Sequence, residues 1–425
     1  MKADLIVENI GQLVTCASPK GPKRGAEMRD VGIITDGAVA ITNGKVAGVG
    51  RAGEIRKAFE TTDVIDAGGH AVTPGFVDPH THIVFAGDRL DEFELKIKGA
   101  DYLEILASGG GIISTVGHTR DASVEELVEL GLDRLDKMLT CGTTSCEVKT
   151  GYGLDTETEM KMLDVIERLD AQHPVEIVPT FLPAHAVPPE FKDRTCDYVE
   201  LVCNEMLPQA WAWFESSSFR GRVPFFIDVF CEKNAFDVDQ SRRVLQTAKD
   251  IGFSLKAHVD EFTNLGGSRL AIEMGATSID HLDAISDEEI RMLAKSDTIG
   301  IVTPTVNFNF GSAHFADARK LIDAGCAVAL STDYNPGSAP CPSQQMAMSI
   351  ACRYQKLLPA EALTAATINA AHSIGLGDRF GSIEVGKVAD LLILDGNPIE
   401  DIGAVRRIYR VVKGGIVYDP ARLPK

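Results

Sequence analysis

Apolar runs of four to six residues recur through the middle of the chain, at 74–78, 144–148, 177–182, 225–230, 254–258, 278–281, 300–303 and 327–332. Runs this short, bounded by polar or glycine-containing stretches, suit strands buried on both faces. Between them lie amphipathic patterns opened by Ser123-x-x-Glu126, Thr156-x-x-Glu159 and Ser286-x-x-Glu289, each of which reads as a capping box. Gly142, Gly252 and Gly325 follow as helical stops. Strand–helix units in series predict a parallel sheet, and eight of them close a (β/α)8 barrel. The expected class is therefore α/β, with a TIM-like barrel.

The two ends of the chain read differently. Residues 3–72 carry short β-type runs (Leu5-Ile-Val7, Val39-Ala-Ile41, Val46-Ala-Gly-Val49) with turns at Asn43-Gly44 and Gly68-Gly69, and 381–418 carry Ala389-Asp-Leu-Leu-Ile-Leu394 and Tyr409-Arg-Val-Val412. Neither end has enough strands to cover a core alone. Paired, they make one small antiparallel β domain, a β-sandwich formed by both chain termini. The expected organisation is a composite domain of residues 1–72 plus 381–425 beside a barrel of residues 73–380. Gly109-Gly110-Gly111 marks a mobile or backbone-constrained loop.

The chemistry sits where the strands end. Phe76-Val-Asp-Pro-His-Thr-His82 places His80 and His82 two apart just past the first apolar run, where extended backbone turns both imidazoles to one face. Imidazole suits zinc and iron, and such a pair is half a metal site. Alone it is weak, since an H-x-H in a polar loop is usually nothing. His258, His281 and Asp333 supply the rest, each closing its own apolar run. A histidine singly is more often a hydrogen-bonded core residue than a ligand. Four histidines and an aspartate, all at the carboxyl ends of barrel strands, are better read as one site.

Composition narrows the class. A chain of 425 residues, 44% hydrophobic and 24% charged, buries a large core. No leader-like segment opens it and no uncharged apolar stretch reaches membrane-spanning length, so it is expected to be soluble and cytoplasmic, with no membrane partner. Nine cysteines without a C-x-x-C pair suit reduced thiols, and Cys146, Cys231 and Cys326 lie in apolar runs as core filler. A net charge of −19 without a basic stripe excludes nucleic acid as a partner.

Nearly the whole chain resembles the amidohydrolase superfamily, through Gly381-Ser-Ile-Glu-Val-Gly-Lys-Val-Ala-Asp390, the F-V-D-P-H-T-H opening and the later His, His and Asp. Val84-Phe-Ala-Gly-Asp-Arg89, Gly109-Gly-Gly-Ile-Ile-Ser-Thr-Val116, Lys149-Thr-Gly-Tyr-Gly-Leu154, Ala184-His-Ala-Val-Pro-Pro-Glu190, Asp228-Val-Phe-Cys-Glu232, Asp280-His-Leu282 and Thr332-Asp-Tyr-Asn-Pro-Gly337 look like a branch that hydrolyses a small cyclic amide in histidine degradation. Three places depart from that branch. Thr150 stands where serine is usual, Pro183 where glycine is usual, and Val302-Thr-Pro-Thr-Val-Asn-Phe-Asn309 where a leucine-proline-glycine run is usual. The last ends the seventh strand and leaves a related substrate open.

The resemblance implies one zinc or iron ion per chain, held by His80, His82, His258 and Asp333 with a position left for water. A second metal in this superfamily needs a bridging lysine at the end of strand four, and Phe226-Ile-Asp-Val-Phe-Cys-Glu232 offers none. Lys149 reads equally as a packed, snorkelling side chain or a site residue. The implied reaction is hydrolysis by metal-activated water. Asp333 takes the proton, His281 stabilises the oxyanion and Glu261 relays protons to the leaving nitrogen. Arg89 suits a substrate carboxylate, Tyr152 and His185 resemble substrate ligands, and Asn335, Gly337 and Ser338 resemble product contacts. Tyr102 reads equally as a ligand contact or a half-buried loop tyrosine. The partner is a small molecule, and the resemblance implies a homodimer. A deaminase, or an N-acyl amino acid or dipeptide hydrolase, is the alternative on the same metal site, and Arg89 and Tyr152 argue against a neutral base as substrate. A non-catalytic scaffold would have lost ligands that this chain keeps.

Overall fold

The computed structural model of the chain describes residues 1–98 and 110–422. Each apolar run of the central region holds one strand of a parallel sheet: β1 (Phe76–Asp78), β2 (Thr143–Lys149), β3 (Glu176–Ala184), β4 (Phe226–Cys231), β5 (Ser254–Val259), β6 (Ser278–His281), β7 (Ile299–Val302) and β8 (Val328–Leu330). They pair in chain order from β1 to β8. Just past their ends β1 and β8 meet through a parallel bridge between Thr81 and Tyr334, and His82 donates its N–H to the Tyr334 carbonyl at 2.9 Å. The strands are buried nearly throughout, as the continuous apolar runs require.

Helices lie between the strands, and their start signals divide. Ser286 and Glu289 form the expected reciprocal box at the head of Asp287–Leu293. Ser123 caps Val124–Thr140 from one side only, by accepting from the Glu126 N–H. The expectation at Thr156 fails by one residue, because Asp155 is the cap of Thr156–Gln172. Glu159 is thereby freed for another task. Fully buried, it accepts N–H bonds from Gly151 at 3.1 Å, Gly153 at 2.8 Å and Leu154 at 3.0 Å, and so organises the loop after β2. Glu159→Ala would strand these buried donors and should cost about 2–4 kcal/mol of unfolding free energy, at about 1–3 kcal/mol for an unpaired buried group. Denaturant unfolding checks it, and an unchanged midpoint would mean that packing alone holds the loop.

Both termini build the second sheet. Its order is Ile416–Tyr418, Ile408–Lys413, Leu391–Leu394, Ala71–Pro74, Leu5–Val14, Ile33–Thr42 and Lys45–Arg51, with Val64–Asp66 also on Leu5–Val14. The sheet is mixed where an antiparallel one was expected. Leu5–Val14 runs parallel to both Ala71–Pro74 and Val64–Asp66, because the chain returns to it through the helix Ala52–Ala58 and not by a hairpin. Val7, Ile10, Leu13, Val72, Leu391 and Ile393 share its own apolar cluster. The run expected as one strand at 74–78 is divided between the sheets at Gly75, where a Cβ would lie 2.3 Å from the Thr144 side chain.

Gly111, at φ 81° and ψ −164°, takes a conformation open to glycine, so the glycine run is backbone-constrained there, while Gly109 lies outside the described residues. Cys146, Cys231 and Cys326 are buried, free and packed in the core.

Candidate active site

The extended backbone beyond β1 points Thr81 away, to the Glu147 carbonyl, and turns His80 and His82 inward. Their Nε2 atoms stand 3.2 Å apart, and the Nε2 of His258, from β5, is 3.4 Å from that of His82. Asp333, just past β8, brings Oδ1 to 3.5 Å from His80 Nε2 and 3.6 Å from His82 Nε2. Ligand arms of about 2.0–2.1 Å arranged as a tetrahedron have edges of about 3.3–3.4 Å, so the spacing of these donors fits a single metal ion.

The tautomers agree with that use. His80 Nδ1 is hydrogen-bonded to Asp280 Oδ2 at 2.6 Å, and His258 Nδ1 lies at ion-pair distance, 3.0 Å, from Asp228 Oδ2, so each carboxylate favours a proton on Nδ1 and leaves the Nε2 lone pair for a cation. Burial, with Lys149 and His258 beside it, holds His80 well below the ordinary imidazole range. Burial, with His185 and His258, does the same to His82. Both rings are therefore held neutral.

Beneath the histidines lies a layer of buried charge. Lys149 Nζ is 2.7 Å from Asp228 Oδ2, 2.8 Å from Glu147 Oε2 and 3.6 Å from Asp280 Oδ2. Lys256 Nζ is 2.8 Å from the same Glu147 oxygen and donates to the Pro79 carbonyl at 2.9 Å. All five side chains are fully buried. Lys149 is therefore no snorkelling residue, because its ammonium ends inside the barrel. Burial alone would lower its pKa, but Asp228, Glu147 and Asp280 outweigh it and hold the ammonium charged.

Strict alternation along β6 would put Asp280 and His281 on opposite faces. His281 at φ 83° and Leu282 at φ 69° break it, so that Asp280 holds His80 while the His281 ring packs 5.2 Å from that of His80. Left-handed backbone at non-glycine residues costs of order 1–3 kcal/mol, and it is found here where two consecutive side chains must reach one cluster. Thr303 Oγ1 is 3.1 Å from His281 Nδ1, and Glu261 Oε2 is 3.9 Å from His281 Nε2. Burial, then Asp333, Asp283 and Glu232, pushes the Glu261 carboxyl well above its ordinary range. These surroundings favour its protonated form.

The remaining expected residues sort by distance from this cluster. His185 stacks on His82 with ring centroids 4.9 Å apart and has Nδ1 on the Gly151 carbonyl at 3.0 Å. Tyr152 lies 5.8 Å from the His82 ring. Arg89 is held by Glu92, with Nε at 2.9 Å and Nη2 at 2.6 Å from Oε2, while Nη1 lies where a Cβ on Gly337 would be, 2.0 Å from that position. Asn335 works within its own loop: Nδ2 donates to the Asp333 carbonyl at 2.7 Å and to Ser338 Oγ at 2.7 Å, and Oδ1 accepts from the Gly337 and Ser338 N–H groups at 2.8 Å. It positions Asp333 and the loop bearing Gly337 and Ser338. Tyr102 lies outside the described residues. The departing segment at 302–309 does border the site, through Thr303 on His281 and through Asn309 Nδ2, 3.4 Å from the Gly337 carbonyl.

Several residues of the site were not singled out from the sequence: Asp78, Glu147, Asp228, Lys256 and Asp280. Asp78 takes hydrogen bonds from Ser331 Oγ at 2.5 Å and from Thr332 Oγ1 at 2.6 Å and so ties β1 to the turn that carries Asp333. The available signal was a charged residue inside a buried run, which demands a partner.

A parallel barrel with convergent histidines and carboxylates at the carboxyl ends of its strands defines a metal-dependent hydrolase. The chain belongs to the amidohydrolase family, whose model matches residues 71–417. It is 54% identical over 392 residues to an imidazolonepropionase of Chloroflexus aggregans, covering 92% of each chain. It is 50% identical to that of Herpetosiphon aurantiacus, over 92% of this chain and 91% of the other, and 46% identical to that of Alkaliphilus oremlandii, over 98% of both. Within the family the chain groups with the imidazolonepropionases. An adenosine deaminase of Xanthomonas campestris with bound zinc has a TM-score of 0.69 at 20% identity, over 98% of this chain and 93% of the other. Guanine deaminase of E. coli has a TM-score of 0.70 at 18% identity, over 97% and 99%. At those identities the likeness is one of fold. No helix among the described residues is long and apolar enough to cross a membrane.

Proposed function

We propose that this chain hydrolyses the ring amide C–N bond of 4-imidazolone-5-propanoate to N-formimino-L-glutamate in histidine degradation, with one zinc or iron ion held by His80, His82, His258 and Asp333. The observation that carries the substrate is the placing of Tyr152. Its ring lies 5.8 Å from that of His82 at the donor cluster, where its hydroxyl feels both the Arg89 cation and the Asp333 carboxylate. A substrate with a carbonyl at one end and a carboxylate at the other matches that pairing.

A divalent ion held here would lower the pKa of a bound water to about 7 and polarise the carbonyl under attack. Asp333 takes the proton from the attacking water. His281 Nε2 faces the developing oxyanion, and Glu261, kept protonated by its surroundings, passes a proton to the leaving ring nitrogen as the C–N bond breaks. His185 and Tyr152 flank the ring. Arg89 reads the propanoate, with Gly337 leaving room for its guanidinium and Ser338 beside it on the same loop. The same resemblance extends to Tyr102 as a ligand contact, to a cytoplasmic location and to a homodimer, which light scattering on the purified protein checks.

The first test is an assay of imidazolonepropanoate against guanine, cytosine and acyl amino acids, and turnover confined to one of the latter would overturn the proposal. Arg89→Ala should lower kcat/KM by about 30-fold or more, as expected for a charge-assisted pair worth about 2 kcal/mol or more. Lysine should restore only part of the loss, since a point charge cannot reproduce the guanidinium fork. An analogue lacking the carboxylate should be indifferent to both changes. Equal losses on the two compounds would make Arg89 a support for its loop.

A further inference from the structure

Behind the donor cluster, the layer of buried charge is itself shaped like a cation site. Donor atoms of His80, Glu147 and Asp280 lie within 4.8 Å of one another, all buried, and form a second group able to hold a metal beside the His80, His82 and His258 trio. The space between these carboxylates is taken. Lys149 Nζ sits 2.7 Å from Asp228 and 2.8 Å from Glu147, and Lys256 Nζ sits 2.8 Å from the same Glu147 oxygen. Each ammonium is at contact distance from carboxylate oxygen, with no water-accessible surface on any member. Packing needs do not account for this, since hydrophobic residues fill a barrel interior without the desolvation cost of five buried charges.

The charges balance almost completely. Two ammonium groups stand against three carboxylates, which leaves one negative charge directly behind the histidines. Two of the three carboxylates, Asp280 and Asp228, are also those that hold His80 and His258 by Nδ1. The lysines therefore reach the metal through the groups that orient its ligands.

We propose that the ammonium groups of Lys149 and Lys256 are resident cations in a second cation position, and that they restrict this barrel to a single metal ion while positioning Asp228 and Asp280 behind its ligands. The inference rests on the metal reading of the site and is independent of the substrate. Lys149 and Lys256 are positioning residues here; neither touches a reacting atom.

The test is metal stoichiometry after dialysis against Zn²⁺, read by elemental analysis, with folding followed by circular dichroism. Wild type should hold one equivalent. Lys149→Met, which leaves an uncompensated carboxylate in a preformed donor group, should hold a second. A folded Lys149→Met protein that stays at one equivalent overturns the proposal. A wild type that binds no zinc or iron would overturn the metal reading itself, which keeps the two failures apart.

A charge cycle gives an independent answer should Lys149→Met not fold. Glu147→Gln makes the layer neutral and should weaken Zn²⁺ retention against a chelator by at least about tenfold, because a divalent ion close by loses one attracting charge. Adding Lys256→Met restores the net charge and should recover most of that loss. Residues that served packing alone would give losses that add. An additive cycle overturns the proposal.

Discussion

Replacing His258 by alanine should remove turnover and the metal together. The change deletes one of three imidazoles whose Nε2 atoms stand 3.2–3.4 Å from their neighbours, and no other described side chain points a donor from β5 into that position. It also leaves Asp228, still paired with Lys149 at 2.7 Å, without the ring that lies 3.0 Å from it. Without the metal, water loses the acidification that brings its pKa down to about 7, and kcat should fall by at least about 10⁴-fold. Asp228→Asn is the graded version. It keeps every ligand but loosens the hold on the His258 tautomer, and should weaken metal affinity by about 10–100-fold. Elemental analysis and chelator competition read both variants. A His258→Ala protein with full metal and full turnover would show His258 to be structural.

His281→Ala and Glu261→Gln should separate chemistry from coordination. Both variants should keep the metal while kcat drops by about 10²–10³-fold, the usual cost of losing one transition-state hydrogen-bond partner. The metal readout is the decisive one for His281, because its ring also lies near enough to His80 and Asp333 to complete a donor trio with them. Thr303 argues for the catalytic role by occupying Nδ1 at 3.1 Å and leaving Nε2 directed at Glu261, 3.9 Å away. Loss of metal from a folded His281→Ala protein would move this residue into the coordination shell. For Glu261, glutamine keeps shape and removes the transferable proton, so an unchanged rate would take it out of the proton path.

The eight strands were legible because a doubly buried strand is written as a short, unbroken apolar run, and the strand ends were legible because a His or Asp interrupts it. The second layer was not. Glu147 and Lys149 sit two apart within β2, and the pattern says only that they share a face. That the face is the barrel interior, and that Asp228 and Lys256 arrive on it from β4 and β5, depends on register between strands distant in sequence. The consecutive use of Asp280 and His281 was hidden for another reason, since it requires the left-handed backbone at His281 that periodicity cannot express. Thr156 misled because Asp155, one residue earlier, is an equally good cap and Glu159 is worth more to the neighbouring loop than to its helix.

The division of one apolar run at Gly75 has a consequence for how the chain is made. Ala71–Pro74 lies between Leu5–Val14 and Leu391–Leu394, and only Gly75 separates it from the strand that delivers His80 and His82. During synthesis the first neighbour is already present, but the second leaves the ribosome only after every strand of the barrel. The anchor of His80 and His82 is thus completed by a segment translated after the whole barrel. Until that strand is made, Ala71–Pro74 lacks one of its two neighbours, the kind of exposed edge that invites wrong partners. Full anchoring of the donor cluster in this way waits for a strand that lies beyond the barrel in sequence.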